Sequence, residues 1–253
     1  MLLAIDVGNT NMVLGLFDGD ALAHSYRVKT DPRSTADEMM LTFRGLLGDT
    51  PITGVSLCST VPAVLHEMRL MLAKYYGDLP RILVEPGIKT GVQVLTDNPK
   101  EVGADRIVNT LAAHRLYGGP CVVVDFGTST NLDVVSASGD FLGGALAPGI
   151  QISLDALSAR AAQLRKVELV RPRSVIGKNT VEALQSGALY GFAGQVDGLV
   201  DRIRVEVPGI RDVIATGGLA EIVVPESRTI TAHCPELTLI GLALVFAKNM
   251  AAM

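Results

Sequence analysis

The sequence contains no tryptophan, and five tyrosines with six phenylalanines make up only 4% of its 253 residues. A surface that binds single-stranded nucleic acid by stacking bases on aromatic rings is therefore not expected. Positive charge is also scarce: Lys and Arg total 22 against 26 Asp and Glu, for a net charge of −4. The pI is about 5.6 and no long basic run exists, which argues against nucleic acid or an anionic membrane as a partner. Cys58, Cys121 and Cys234 are too few and too scattered for a disulfide framework or a paired-cysteine metal site. His24, His66, His114 and His233 show no metal-ligand spacing. No apolar run approaches the ~18 residues that span a bilayer, and the N-terminus lacks the pattern of a signal peptide. A reduced, cytoplasmic setting is the expectation.

What is present is apolar and patterned. The chain is 48% hydrophobic and 19% charged, with mean hydropathy +0.36, enough for one large domain or two smaller ones with sizeable cores. "LLAID", "MVLGLF" and "ALAHSYRV" read as three short strands joined by turns. "TADEMMLTFRGLLG" reads as a helix with Asp37 and Glu38 in its first turn and Gly48 at its stop. A strand "ITGVSLCST", a helix opened by Pro62, and a short strand "RILVE" follow. The second half repeats the plan. Three strands from "CVVVDFGTST" to "GDFLGGALAPG" lead into helices over "IQISLDALSARAAQLRKV" and "TVEALQSGALYGFAGQVDGLVDRIRVEV". The strand "RDVIATGGLA" and a closing helix "PELTLIGLALVFAKNM" complete it. The natural boundary is the "YGGP" loop, giving an N-terminal domain over 1–118 and a C-terminal domain over 119–253.

Two turns share a composition. Asp6 and Gly8 in "DVGNTN" match Asp125 and Gly127 in "DFGTST" at one offset, 125 − 6 = 127 − 8 = 119. Glycine allows close approach or a positive φ, so that successive N–H groups can face an anion. Asn9, Thr10 or Thr128 could add a hydrogen bond to a phosphate oxygen, and an Asp at a strand end could hold a divalent cation. One such turn is more simply an ordinary hairpin; two matching ones suit a nucleoside triphosphate held from both sides. A strand follows each turn, so neither is a Walker loop or a dinucleotide turn. A third glycine turn, "ATGGLA" at 215–220, offers a flat approach for an adenosine, or is a plain tight turn.

"NPKEVGADRIVNTLAAHRLYG" places small residues before an Asp–Arg pair at the start of a helix. Asp105 could simply cap that helix, with Arg106 solvated. Alternatively the carboxylate could accept a proton from a hydroxyl while the guanidinium forks onto a substrate carboxylate.

The DxGNT, DxGTxT and TGG turns resemble those of the acetate and sugar kinase/Hsc70/actin superfamily. That resemblance implies an α/β fold of two tandem ribonuclease-H-like (actin-like ATPase) domains, each a mixed five-stranded sheet flanked by helices, with ATP in the cleft between them. DVGNT, GADR and DFGTST in this order more closely resemble type III pantothenate kinase, along essentially the whole chain through "GGALAPGI", "GKNT" and "TGG". The resemblance implies ATP-dependent phosphorylation of pantothenate with Mg2+ and a monovalent cation, K+ or NH4+, in a homodimer. It assigns Asp6, Val7, Gly8, Asn9, Thr10, Asn11, Met12 and Val13 to the first phosphate loop, with Asp6 near magnesium. Gly103, Ala104, Asp105 and Arg106 would bind pantothenate, with Asp105 the general base. Asp125 would hold the monovalent cation, Thr128 would touch phosphate, Gly217 and Gly218 would flank adenosine, and Thr180 would reach the partner subunit's pantothenate. Thr96 would line the same pocket where the family often has Tyr. The competing readings are a non-catalytic transcriptional accessory factor of the same fold, disfavoured by the intact carboxylates, and another small-molecule kinase of the superfamily.

Overall fold

A computed structural model describes residues 1–160 and 166–251. The chain forms two compact units: Met1–Val92, Asn98–Ala112 and the chain from Leu237 on make the first, Gln93–Asp97 with Ala113–Glu236 the second.

In the first unit, β1 (Leu2–Val7), β2 (Asn11–Asp18), β3 (Ala21–Lys29), β4 (Gly54–Ser59) and β5 (Arg81–Leu83) form a mixed sheet in the order β3-β2-β1-β4-β5. β1 runs antiparallel to β2 and parallel to β4. Strand alternation sorts β1 onto two faces. Leu3, Ile5 and Val7 pack against Met39 and Phe43 of α1 (Ala36–Leu47) and Val64, Met68 and Met71 of α2 (Pro62–Tyr75). Ala4 and Asp6 therefore point to the opposite face, where Cys58 lies with Val108 of α3 (Ala104–Tyr117) and Leu239, Leu242 and Val245 of α7 (Leu237–Met250). α1 begins with a reciprocal capping box between Thr35 and Glu38, and α2 carries the expected Pro62 at its start.

The second unit repeats the topology. β6 (Cys121–Phe126), β7 (Ser129–Val135), β8 (Phe141–Pro148), β9 (Asp212–Thr216) and β10 (Ala232–His233) are ordered β10-β9-β6-β7-β8. Val122, Val124 and Phe126 enter its core with Leu189, Val196 and Val200 of α5 (Thr180–Glu206). Asp125 thus occupies on β6 the position that Asp6 occupies on β1, on the side turned away from this cluster. The other second-unit helices are α4 (Ile150–Arg160) and the one-turn α6 (Ala220–Val223).

Three sequence expectations are corrected. The sequence places the closing helix in the C-terminal domain, but α7 belongs to the first unit. Its Gly241 lies so close to the Val108 carbonyl that no side chain fits there, and the Leu242 carbonyl accepts from Ser56 Oγ at 2.8 Å. The 118/119 boundary moves as well, because α3 begins in the first unit and residues 113–117 end it in the second. The helix expected over 150–167 ends, among the described residues, at Arg160; residues 161–165 lie outside them, and Lys166 and Val167 are not helical.

The Lys/Arg-rich stretch at 165–173 is held by ion pairs where it is described: Lys166 to Asp155, Arg171 to Glu226 and Arg173 to Glu182. A deeper anchor lies nearby. Asp197 of α5 is 5% exposed and its carboxylate accepts from Ser227 Oγ (2.7 Å), Thr229 Oγ1 (2.8 Å) and the backbone N–H groups of Arg228 and Thr229 (3.0–3.1 Å). Burial pushes this carboxyl's pKa up, but these donors outweigh it and hold the group below its ordinary value. A depressed native pKa contributes stability that is full above the unfolded-state value and is lost as pH falls through the native one. Asp197→Ala, which orphans the donors, should lower unfolding free energy by about 3 kcal/mol at neutral pH. Denaturant titrations should show that deficit shrinking in acid; a pH-independent deficit would contradict the assignment.

Candidate active site

The two acidic turns begin alike and then diverge. Gly8 N–H donates to the Asn11 carbonyl (3.1 Å) and Gly127 N–H to that of Ser129 (3.0 Å). The second turn is one residue shorter, so Asp6 faces Val13 across its hairpin while Asp125 faces Asn131. Neither Gly8 nor Gly127 has a positive φ. At Gly8 a methyl would lie 3.1 Å from the Asn11 carbonyl, a close approach, whereas at Gly127 it would meet only ordinary contacts, Asp125 Oδ1 at 3.5 Å and the Ser129 carbonyl at 3.7 Å. The first turn is braced from two sides. Thr30 Oγ1 donates to the Gly8 carbonyl at 2.7 Å, Thr30 N–H to that of Thr10 at 3.0 Å, and Thr60 N–H to that of Val7 at 3.1 Å. Val7 and Met12 turn their side chains into the core, whereas Asn9 and Thr10 are exposed.

Asp6 sits beside the GADR segment. Burial, together with the negative charge of Asp105, pushes its pKa up to about 7. The Cys58 thiol, directly alongside on β4, donates to Asp6 Oδ1 at 3.4 Å. Burial and the two nearby carboxylates raise that thiol's own pKa well above its usual value, so it remains a protonated donor. Asp105 is raised too, by burial, against the opposing pull of the Arg106 N–H and guanidinium. Its Oδ1 is buried without a hydrogen-bond partner. Of the two readings of Asp105, the helix cap is not the one found: it stands within the first turn of α3, and its carboxylate folds back over Gly103, where any side chain would meet Oδ1.

In the second unit, Asp125 and Gly217 come together, with Thr128 in the turn after β6. Gly217 has φ +90°, and a methyl there would collide with Asp125 Oδ1 and lie 2.7 Å from the Phe126 backbone. Leu219 N–H donates to the Phe126 carbonyl (3.3 Å), seating the glycine turn on the end of β6, with Gly218 exposed. Gly149, at the start of α4, donates to the Thr128 carbonyl at 3.0 Å and braces this turn. Thr96 lies elsewhere in the unit, its methyl 3.8 Å from where a Gly143 side chain would begin, with Oγ1 buried and unpartnered. Thr180 opens α5 on the surface, next to the capping Asn179. Among the described residues no three His, Cys, Asp or Glu converge on a metal-sized site. A cleft of about 450 Å3 at the C-terminal ends of α1 and α2, lined by Arg44, Tyr75 and Tyr76 among others, holds none of these residues. Cys58, Thr30, Thr60 and Gly149 escaped sequence reasoning, since each acts through a neighbour distant in the chain.

The family model for type III pantothenate kinase matches residues 2–202. The chain belongs to the type III pantothenate kinase family. Type III pantothenate kinases of Frankia alni and Salinispora arenicola are 70% and 66% identical to it, each over 99% of this chain and 100% of the relative. Solved structures show the fold that this kinase family shares with others. A ROK hexokinase from Thermus thermophilus is similar with TM-score 0.52 at 16% identity, covering 98% of this chain and 99% of that one. A Campylobacter jejuni protein assigned to the Baf family of transcriptional activators is similar with TM-score 0.62 at 19% identity, over 98% and 99%.

The Asp6–Asp105 pairing has a consequence for stability. An Asp raised from 3.8 to about 7 on folding binds more protons native than unfolded, so it erodes stability as pH rises between those values. Asp6→Asn should leave the ligand-free protein as stable as the parent near pH 4 and more stable by about 1–3 kcal/mol near pH 8. Chemical denaturation at the two pH values checks this, and an equal effect at both would contradict it.

Proposed function

We propose that the protein transfers the terminal phosphoryl group of ATP to the primary hydroxyl of pantothenate, giving 4′-phosphopantothenate in the first step of coenzyme A biosynthesis. The observation that carries the roles of its residues is Asp105: a carboxylate with a raised proton affinity and one buried oxygen left without a partner. Such a group suits a general base, whose pKa should approach the working pH. As the hydroxyl oxygen bonds to phosphorus, its proton passes to Asp105. The bond from phosphorus to the bridging oxygen breaks, and ADP leaves with the electron pair. Arg106 would hold the pantothenate carboxylate, with Gly103, Ala104 and Thr96 lining the pocket.

The turn from Asp6 to Val13, Thr128, and Gly217 with Gly218 would contact ATP. Asp6 suits Mg2+, since a cation would relieve the strained ionisation of its carboxyl, and Asp125 suits K+ or NH4+. Bound there, these ions would supply positive charge against the phosphates. The protein's own contribution is to hold both turns rigid and Asp105 oriented. No helix among the described residues is long and apolar enough to cross a membrane, and a cytoplasmic location fits this biosynthetic role.

A homodimer is supported by α5. Gly187, Gly191, Gly194 and Gly198 recur along its exposed side with open space around each. Exposed Val175 and Ile176 (63% and 66%) precede it. A backbone bared in this way admits close approach by a second copy, carrying Thr180 to the partner's pantothenate.

Two experiments test these readings. With ATP, magnesium and pantothenate, the purified protein should form ADP and a phosphorylated product detectable by mass. Asp105→Asn should lose ~10²–10⁴-fold in kcat, and Asp125→Ala should lose the response to potassium. Absence of product with and without potassium would instead favour the transcriptional accessory reading. Gly191→Glu should yield a monomer by light scattering; an intact dimer would place the interface elsewhere.

A further inference from the structure

Asn109 stands one turn beyond Asp105 on α3 and is 1% exposed. Neither its Nδ2 nor its Oδ1 has a hydrogen-bond partner. Thr110 beside it shows how this helix normally satisfies a buried polar group: its Oγ1 donates back to the Arg106 carbonyl at 2.9 Å. Ala104, Val108 and Leu111 form the strip of α3 that packs into the apolar core. Asp105 and Asn109, spaced i and i+4, share an adjoining strip. A buried amide satisfied at neither end is costly and calls for a ligand or water to complete it. Asp105 Oδ1 has the same deficit on the same strip.

We infer that Asn109 is a substrate-contacting residue whose amide takes the secondary hydroxyl of pantothenate while Asp105 takes the primary one. This rests on the reading of Asp105 as the base that receives the primary hydroxyl. Residues at i and i+4 present side chains from Cβ atoms about 5–6 Å apart, and both lean toward the helix N-terminus. Pantothenate carries its two hydroxyls on carbons separated by one quaternary carbon, a span that such a pair can bracket. A carboxylate only accepts, which fits the hydroxyl that gives up its proton. An amide both donates and accepts, which fits a hydroxyl that keeps its own. Asn109 would thus distinguish a diol from a simple alcohol at the reacting end of the substrate.

The test is calorimetric binding of pantothenate and of its analogue with hydrogen in place of the secondary hydroxyl, which needs no turnover. The wild-type protein should bind the analogue ~10-fold more weakly, the scale of one lost hydrogen bond. Asn109→Ala should bind pantothenate ~10-fold more weakly and lose less than ~3-fold further with the analogue, the non-additivity of two partners in contact. Asn109→Leu, which keeps the volume, should repeat that pattern if the alanine variant folds poorly. Equal binding of the two compounds by the wild-type protein overturns the inference without any variant. So do losses that multiply to ~100-fold, as a buried structural water at Asn109 would produce. Failure of wild-type protein to bind pantothenate at all would instead refute the functional reading beneath it.

Discussion

The active edge of the first unit depends on holding two carboxylates, Asp6 and Asp105, close together where water is scarce. Each alone would ionise readily in solution. Burial raises the proton affinity of both; the charge of Asp105 adds to the rise at Asp6, and both carboxylates raise that of the Cys58 thiol. Such an arrangement is unfavourable for the fold by itself and becomes favourable once positive charge or a proton-bearing ligand arrives. The rest of the local structure keeps it in place. Thr30 and Thr60 pin the turn after Asp6, Gly103 leaves room for the Asp105 carboxylate, and the thiol of Cys58 supports one oxygen of Asp6.

The second unit solves a related problem differently. Its turn is shorter by one residue, which replaces an apolar neighbour by Asn131 opposite Asp125. Gly217 then closes directly over that carboxylate, in a conformation few other residues adopt. The duplicated topology therefore supplies two acidic turns with different surroundings.

Much of this was legible in the chain. The apolar runs "LLAID" and "CVVVDF" already mark buried strands that end at an aspartate, and the acidic first turn and Gly48 of α1 and the proline of α2 mark those helices. Other features depend on contacts that local pattern does not encode. α7 reads as an apolar helix at the end of the second half, and only its contacts, the seat of Gly241 on Val108 and the Ser56–Leu242 hydrogen bond among them, show where it belongs. Glycine at 8 and 127 allows a positive φ or close approach; neither shows a positive φ, and only Gly8 is tightly packed. The sequence leaves Asp105 open between a helix cap and a proton acceptor, and only the fold reveals an oxygen with no partner. Cys58 and Thr30 lie far in sequence from the turn that they support.

Burial beside Asp105 holds the Asp6 carboxyl protonated up to near neutrality, and the magnesium proposed for it would release that proton. Carbon-13 NMR of the side-chain carboxyl of Asp6, assigned with Asp6→Asn, can follow its ionisation across pH with and without magnesium and ATP. The account predicts titration near neutrality in the ligand-free protein and full ionisation throughout once magnesium and ATP are bound. Titration in the ordinary carboxylate range, unmoved by ligand, would contradict it.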